Sequence, residues 1–190
     1  MNRPAKTMKP LAACTLLLLL AAAAFPSPQL QPQTDLEKSC RDYVQSFYSW
    51  YLPKALDVNE THAIDEALRS KVFGFSPELF KLLQEDAESQ AKYPGEIVGL
   101  EFDPFLSSQD PSERFVVTDV GHKGGTYFVE VNGISSTGKK EKVIAELTRK
   151  KDQWLFVNFH YPKFEHANAK DADLITILKH LRELRQARPK

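Results

Sequence analysis

Carboxylates gather along Glu101-Phe102-Asp103-Pro104-Phe105 and Gln109-Asp110-Pro111, with Glu113 close behind, and this is the most distinctive text in the chain. Oxygen donors at such intervals suit a hard cation such as calcium, which takes about six to eight of them. The calcium-loop pattern D-x-[DN]-x-[DN]-G is absent, however. Each Asp-Pro pair also reads as a cap followed by a proline whose missing N–H needs no partner, and Asp110-Pro111-Ser112-Glu113 has capping-box spacing. A structural role for Asp103 and Asp110 therefore outranks a cation loop. The histidines His62, His122, His160, His166 and His180 form no H-E-x-x-H and no other ligand pair on one helix face, so no metal site is expected. No G-x-S-x-G marks a nucleophilic serine. Gly121-His122-Lys123-Gly124-Gly125 lacks the spacing of a phosphate cradle and sits between strand-like segments, where glycine serves a hairpin turn.

A second cluster is aromatic. Phe47-Tyr48-Ser49-Trp50-Tyr51 places four rings in five residues, more than one helix face can bury. With Trp154, Asn158 and Tyr161 they are rings and amides of the kind that line the open end of a rolled sheet, around a small apolar ligand. The plainer alternative is a thick aromatic core whose hydroxyls and amide find backbone partners. Lys179, Arg182, Arg185, Arg188 and Lys190 make the last helix basic. That pattern suits an anionic lipid surface, but cations at a helix C-terminus also complement its dipole. Asn59-Glu60-Thr61 matches a glycosylation acceptor and reads here as turn and cap.

The elements that hold these residues follow from periodicity. Thr34-Asp35-Leu36-Glu37 is a capping box, and Leu36, Cys40, Tyr43, Val44, Phe47 and Tyr51 then recur at helical steps until Pro53, where the helix is expected to end. A weaker helix is expected from about Thr61 to Val72. Ser76 caps a third, with Pro77 in its first turn and Leu79, Leu82, Leu83 and Ala87 as its buried stripe. After Pro94-Gly95 the period changes from helical to alternating. Arg114–Val120, Tyr127–Gly133, Lys142–Thr148 and Trp154–Tyr161 read as four strands joined by short turns, and hence as an antiparallel meander. A last helix spans about Asp171 to Gln186, striped by Leu174, Ile177, Leu178, Leu181 and Leu184. Helices first and meander after is the order of an α+β domain, with the N-terminal helices on a curved four-stranded sheet in a roll.

The chain's start reads as an address. Arg3, Lys6 and Lys9 precede an apolar run from Leu11 to Ala24, and Ala22 and Ala24 give the small-residue spacing of signal-peptidase cleavage after Ala24. The run is shorter than the roughly 20 residues of a spanning helix. Leu11-Ala12-Ala13-Cys14 resembles a lipoprotein signal, but there the apolar run precedes the cysteine, and here Leu16 to Leu20 follow it. Membrane tethering through an uncleaved or lipidated N-terminus is thus the lesser expectation. Residues 25–33, with Pro26, Pro28 and Pro32, read as a Pro/Gln-rich linker, and 34–190 as one domain. The 190 residues carry 25 basic and 25 acidic groups, which argues against nucleic acid. Loss of residues 1–24 removes three of the 25 basic groups and no acid, for a balance near −3, and leaves Cys40 as a lone thiol. Cys40 is expected as a small buried residue of the first helix.

Several strings together resemble a bacterial family of secreted domains of unknown function that includes the YbjP-type envelope lipoproteins. They are Gln45-x-Phe47-Tyr48-x-Trp50-Tyr51-Leu52, Ser76-Pro77-Glu78-Leu79 to Asp86-Ala87, Asp103-Pro104-Phe105 to Gln109-Asp110-Pro111, and Trp154-x-Phe156-Val157-Asn158-Phe159-x-Tyr161. The resemblance covers roughly Cys40 to Pro162. It implies an envelope location and a small helix-plus-sheet fold similar to nuclear transport factor or cystatin domains, with no catalytic residues to carry over. Ser49 stands where the family pattern has an acidic residue, and the lipoprotein cysteine has no clear counterpart.

The expectation is therefore a non-enzymatic, secreted or periplasmic envelope protein with no cofactor, binding another protein or a small apolar ligand. Phe47, Trp50, Tyr51, Asp103, Asp110, Asn158 and Tyr161 are its candidate binding residues. Two alternatives stay open. An enzyme with a roll-type pocket would place Asp103 or His160 in a cavity with a shifted pKa. An inhibitor or immunity protein would project a rigid loop at Phe102 to Pro111.

Overall fold

The computed structural model describes residues 31–57, 63–93, 95–96, 98–138, 141–162 and 173–187, with side chains from Asp35 onward. The leader, the linker up to Leu30, Cys14, Asn59 to His62, Pro94, His166, Asp171, Arg188 and Lys190 lie outside the described residues.

The first helix, α1 (Gln31–Ala55), is longer at both ends than the sequence predicts. It begins before Thr34, because Pro32 falls in the first turn, where the N–H has no intrahelical partner to lose. It also runs through Pro53. Proline there removes one helical bond near the end, while Tyr51 and Leu52 beside it are buried and hold the last turn. The helix α2 (Ala63–Arg69) is shorter than expected. The next helix, α3 (Pro77–Lys92), starts as predicted: the Ser76 hydroxyl accepts from Leu79 N–H, and Pro77 opens the first turn.

The sheet corrects the expected four-stranded meander. Five strands, β1 (Gly74–Phe75), β2 (Arg114–Lys123), β3 (Thr126–Ile134), β4 (Lys142–Lys150) and β5 (Gln153–His160), lie in the order β1-β5-β4-β3-β2. The meander itself is present as β2 to β5, all antiparallel. The addition is β1, which joins β5 in parallel at Gly74↔Leu155 and Phe75↔Phe156. Glycine is required in β1, since a Cβ at Gly74 would stand 2.5 Å from Leu155 Cδ2. The hairpin reading of the glycine-rich string holds: Gly124, at φ +61°, makes the β2–β3 turn.

Alternation decides which residues enter the core. Tyr127, Val129 and Val131 pair with Leu147, Ala145 and Val143, and all six are buried. On β5 the register slips between Phe156 and Asn158, and this extra residue keeps both Phe156 and Phe159 inside, three positions apart. α1 packs on β2 and β3. Gln45 closes part of the exposed edge of β2: its amide donates to the Phe115 carbonyl at 3.2 Å and accepts from Val117 N–H at 3.0 Å.

The last helix, α4 (Leu174–Ala187), is anchored by apolar contact in its first turns and by charge further on. Leu174 and Leu178 are buried, while Leu184 is 52% exposed. Lys179, Arg182 and Arg185 reach Glu78 at 2.7 Å, Glu85 at 2.5 Å and Asp86 at 2.5 Å, all on α3. These three cations are thus engaged with carboxylates of α3. Among the described residues the architecture is α+β: four helices and a mostly antiparallel five-stranded sheet.

Candidate functional site

The Asp103 turn is where sequence and structure meet. Asp103 Oδ1 accepts from the N–H groups of Phe105 and Leu106, at 2.9 and 3.1 Å, and closes a tight turn that carries Ser107 at φ +53°. Three tyrosines, two on α1 and one just past the end of β5, then clamp that turn. Tyr51 donates to Asp103 Oδ2 at 2.6 Å, Tyr48 to the Phe105 carbonyl at 2.8 Å, and Tyr161 to the Pro104 carbonyl at 2.8 Å. The helical spacing of Tyr48 and Tyr51 brings both hydroxyls to the same short segment. Burial raises all three phenol pKa values well above the usual range, so they remain donors. Burial also dominates Asp103, lifting its pKa to about 6 against the opposing pull of the Tyr51, Phe105 and Leu106 hydrogen bonds.

Asp103 and Tyr51 form the polar floor of a cavity of about 420 Å³. Its walls come from the end of α1 (Ala55), from α2 (Ala63, Ile64, Asp65), from α3 (Leu83, Asp86, Ala87, Gln90, Ala91) and from Leu100. The polar wall residues are held in place. Asp86 accepts from Arg185 Nη1 and from Leu100 N–H at 3.0 Å. The Gln90 carbonyl oxygen accepts from Val98 and Gly99, while its amide donates to the Glu96 carbonyl. The volume and the apolar lining are those of a small-molecule site.

The other candidate residues do not converge there. Phe47 is fully buried at the centre of a ring cluster, with Phe156, Tyr51, Phe73 and Phe105 at centroid distances of 4.9 to 5.3 Å. The space between the sheet and α1 is therefore aromatic core. Trp50 stands on the flank of α1, half-buried, with Lys54 Nζ 5.3 Å from its ring. Asn158 works as a brace for α4: it donates to Asp173 at 2.8 Å and accepts from Ile175 N–H at 3.1 Å. Tyr161 stays on the Pro104 carbonyl, and Trp154 donates to Ser39 at 3.1 Å. Asp110 is exposed, and its backbone N–H and carbonyl both bond Ser108. Among the described residues no group of three or more His, Cys, Asp or Glu is placed to hold a metal ion.

The segment expected to project as a rigid loop is rigid but tucked in. Pro104, Phe105, Leu106 and Ser108 are buried, and only Glu101, Gln109 and Asp110 face outward. His160, the other residue considered for acid–base work, lies 2.8 Å from Glu146 on the outward side of β5 and β4, away from the cavity lining. Sequence reasoning missed Asp86 and Gln45, whose partners Arg185, Phe115 and Val117 lie far along the chain, and Gln90, which holds the loop that follows its own helix. A usable signal was Asp86 sitting at helical spacing from Leu79, Leu82 and Leu83, a charge inside an apolar stripe that requires a counter-charge.

No protein-family model matches this chain, and no curated protein matches it. Among solved structures it is similar to a protein of unknown function from Bacteroides thetaiotaomicron VPI-5482, at 16% identity and TM-score 0.48, over 67% of this chain and 93% of that one. It is also similar to a chain of the type VI effector–immunity complex Tae3–Tai3 from Ralstonia pickettii, at 20% identity and TM-score 0.48, over 66% of this chain and 96% of that one.

Proposed function

We propose that this protein is a non-catalytic binding module of the bacterial envelope, exported by a signal cleaved after Ala24, whose ligand sits in the cavity floored by Tyr51 and Asp103. The observation that carries this reading is a cavity of about 420 Å³ with apolar walls and one buried, hydrogen-bonded carboxylate at its base. Asp103 already accepts three hydrogen bonds, which suits a fixed recognition group better than a proton shuttle. The test is a fragment screen by amide NMR on the protein and on Ala91→Trp. Ala91 is an exposed residue of α3 that lines the cavity, so the indole obstructs it without disturbing the core. Fragments that shift the Leu100–Phe105 amides in the parent and not in the variant support the reading. Fragments that bind both equally, or a screen without hits, overturn it.

A protein partner is the second reading, favoured by the outward side of the sheet. Val116, Phe128, Ile144 and Leu155 lie there half-exposed beside the Glu146–His160 and Glu130–Lys142 pairs. An immunity protein would be one instance. Affinity capture from crosslinked envelope extract, repeated with Phe128→Lys, tests it: a stoichiometric partner lost in the variant supports this reading, and no partner refutes it.

A further inference from the structure

The hydrogen-bond inventory of the cavity floor favours a donor ligand. The Tyr51 hydroxyl proton is committed to Asp103, and one of the two Gln90 amide hydrogens goes to the Glu96 carbonyl. Arg185, which bonds Asp86, places the same Nη1 on the Val98 carbonyl at 3.2 Å. What these groups offer a ligand is mostly lone pairs, on the Tyr51 oxygen, the remaining site of the Asp103 carboxylate and the Asp86 oxygens, against a second Gln90 amide hydrogen on the α3 wall. Asp65 adds a further carboxylate to the α2 wall. The rest of the lining is Ala55, Ala63, Ile64, Leu83, Ala87, Ala91 and Leu100, which presents hydrocarbon alone. An anion placed on the floor would meet the Asp103 carboxylate, and an acceptor there would meet oxygen lone pairs. One that brings N–H donors on a cation would satisfy the floor and keep its carbon body on the walls.

We propose that the cavity takes a small amphipathic primary amine, its ammonium on the Tyr51–Asp103 floor and its apolar body against Ala63, Ile64, Leu83 and Leu100. This rests on the reading of the cavity as the binding site and names the chemical class it selects. The floor fits that class for a second reason: a carboxylate held by burial near the upper end of its range gains its ionised form when a cation arrives, which couples binding to proton release.

The experiment uses three probes of matched shape, 4-phenylbutylammonium, 4-phenylbutanol and 4-phenylbutyrate, titrated into the protein at pH 7 and followed by amide NMR. The expected result is that the ammonium binds at least tenfold more tightly than the alcohol, that the butyrate binds weakest, and that Asp103→Asn brings ammonium and alcohol within about threefold of each other. Calorimetry in two buffers of different ionisation heat should show proton release on ammonium binding at pH 6, absent in Asp103→Asn. If alcohol and ammonium bind equally, or the butyrate binds best, with shifts in the cavity amides that Ala91→Trp abolishes, the amine class is wrong and the site stands. If none of the three perturbs the cavity amides, both the class and the site are refuted.

Discussion

Replacing Asp103 by asparagine separates the charge of this residue from its hydrogen bonds, and its effect on stability should change sign with pH. The folded pKa is about 6, against an ordinary aspartate value of 3.8. Between those values the folded protein binds more protons than the unfolded chain, so stability falls as pH rises through that window. Well below pH 3.8 the group is protonated in both states and the burial penalty is gone. Above about pH 7 the folded state carries the full penalty of an ionised, buried carboxylate, about 3 kcal/mol for a rise from 3.8 to about 6. The asparagine side chain of the Asp103→Asn variant keeps the carbonyl oxygen that accepts from Phe105 and Leu106 and has no charge to desolvate. Its amide, however, faces the Tyr51 hydroxyl, whose proton must turn elsewhere, for a loss of about 1 kcal/mol. The variant should therefore be about 2 kcal/mol more stable than the parent at pH 8 and about 0.5 kcal/mol less stable at pH 4. Urea denaturation of both proteins at unit pH steps measures the difference directly, and other carboxylates cancel in it. A difference that is flat with pH, or that favours aspartate at pH 8, would refute the argument that burial outweighs the three hydrogen bonds.

The α3–α4 ion pairs should differ in weight according to exposure. Arg185→Ala leaves buried Asp86 without its cation and should cost about 3 kcal/mol, whereas Lys179→Ala, in a half-exposed pair, should cost under about 0.5 kcal/mol; equal losses in chemical denaturation would contradict this. Cys40 is fully buried and burial pushes its thiol up to about 12, so Ellman's reagent at pH 8 should react only as fast as the protein unfolds. A stoichiometric burst in the native protein would show the thiol to be accessible. Phe47→Ala should cost about 3–5 kcal/mol and Trp50→Ala, at a half-buried site, about 1–2 kcal/mol, since the first empties the ring cluster and the second removes a ring packed on its edge against Phe73; calorimetric Tm values that rank them the other way would overturn the placement of these rings.

What the sequence revealed and what it hid divide along a physical line. Val129, Ala145 and Phe156 reach the core through alternation, a signal carried by each strand alone, and the four long strands were legible for that reason. β1 was not, because two residues hold no period; it exists through Tyr43, whose hydroxyl accepts from Gly74 N–H at 2.8 Å, and through the Phe156 carbonyl, which accepts from Ser76 N–H at 2.7 Å. Both partners lie far along the chain. Pro53 misled in the other direction, since local propensity ends a helix there and the burial of Tyr51 and Leu52 carries it two residues on.

The candidate site divides in the same way. Asp103-Pro104 was visible as a cap, and it is one: two backbone N–H groups fall on Asp103 Oδ1. That its other oxygen would meet a tyrosine of α1 could not be read from either string, because it depends on α1 packing where Tyr48 and Tyr51 reach one turn between them. The aromatic string that looked like a ligand surface thus turns most of its rings into core and one hydroxyl into the floor of a cavity. The floor is rigid because the same clamp that fixes Asp103 also fixes the carbonyls of Pro104 and Phe105. A carboxylate so restrained has lost little freedom still to be lost on binding, which is the condition under which a single charged group can select one class of ligand over its isosteres.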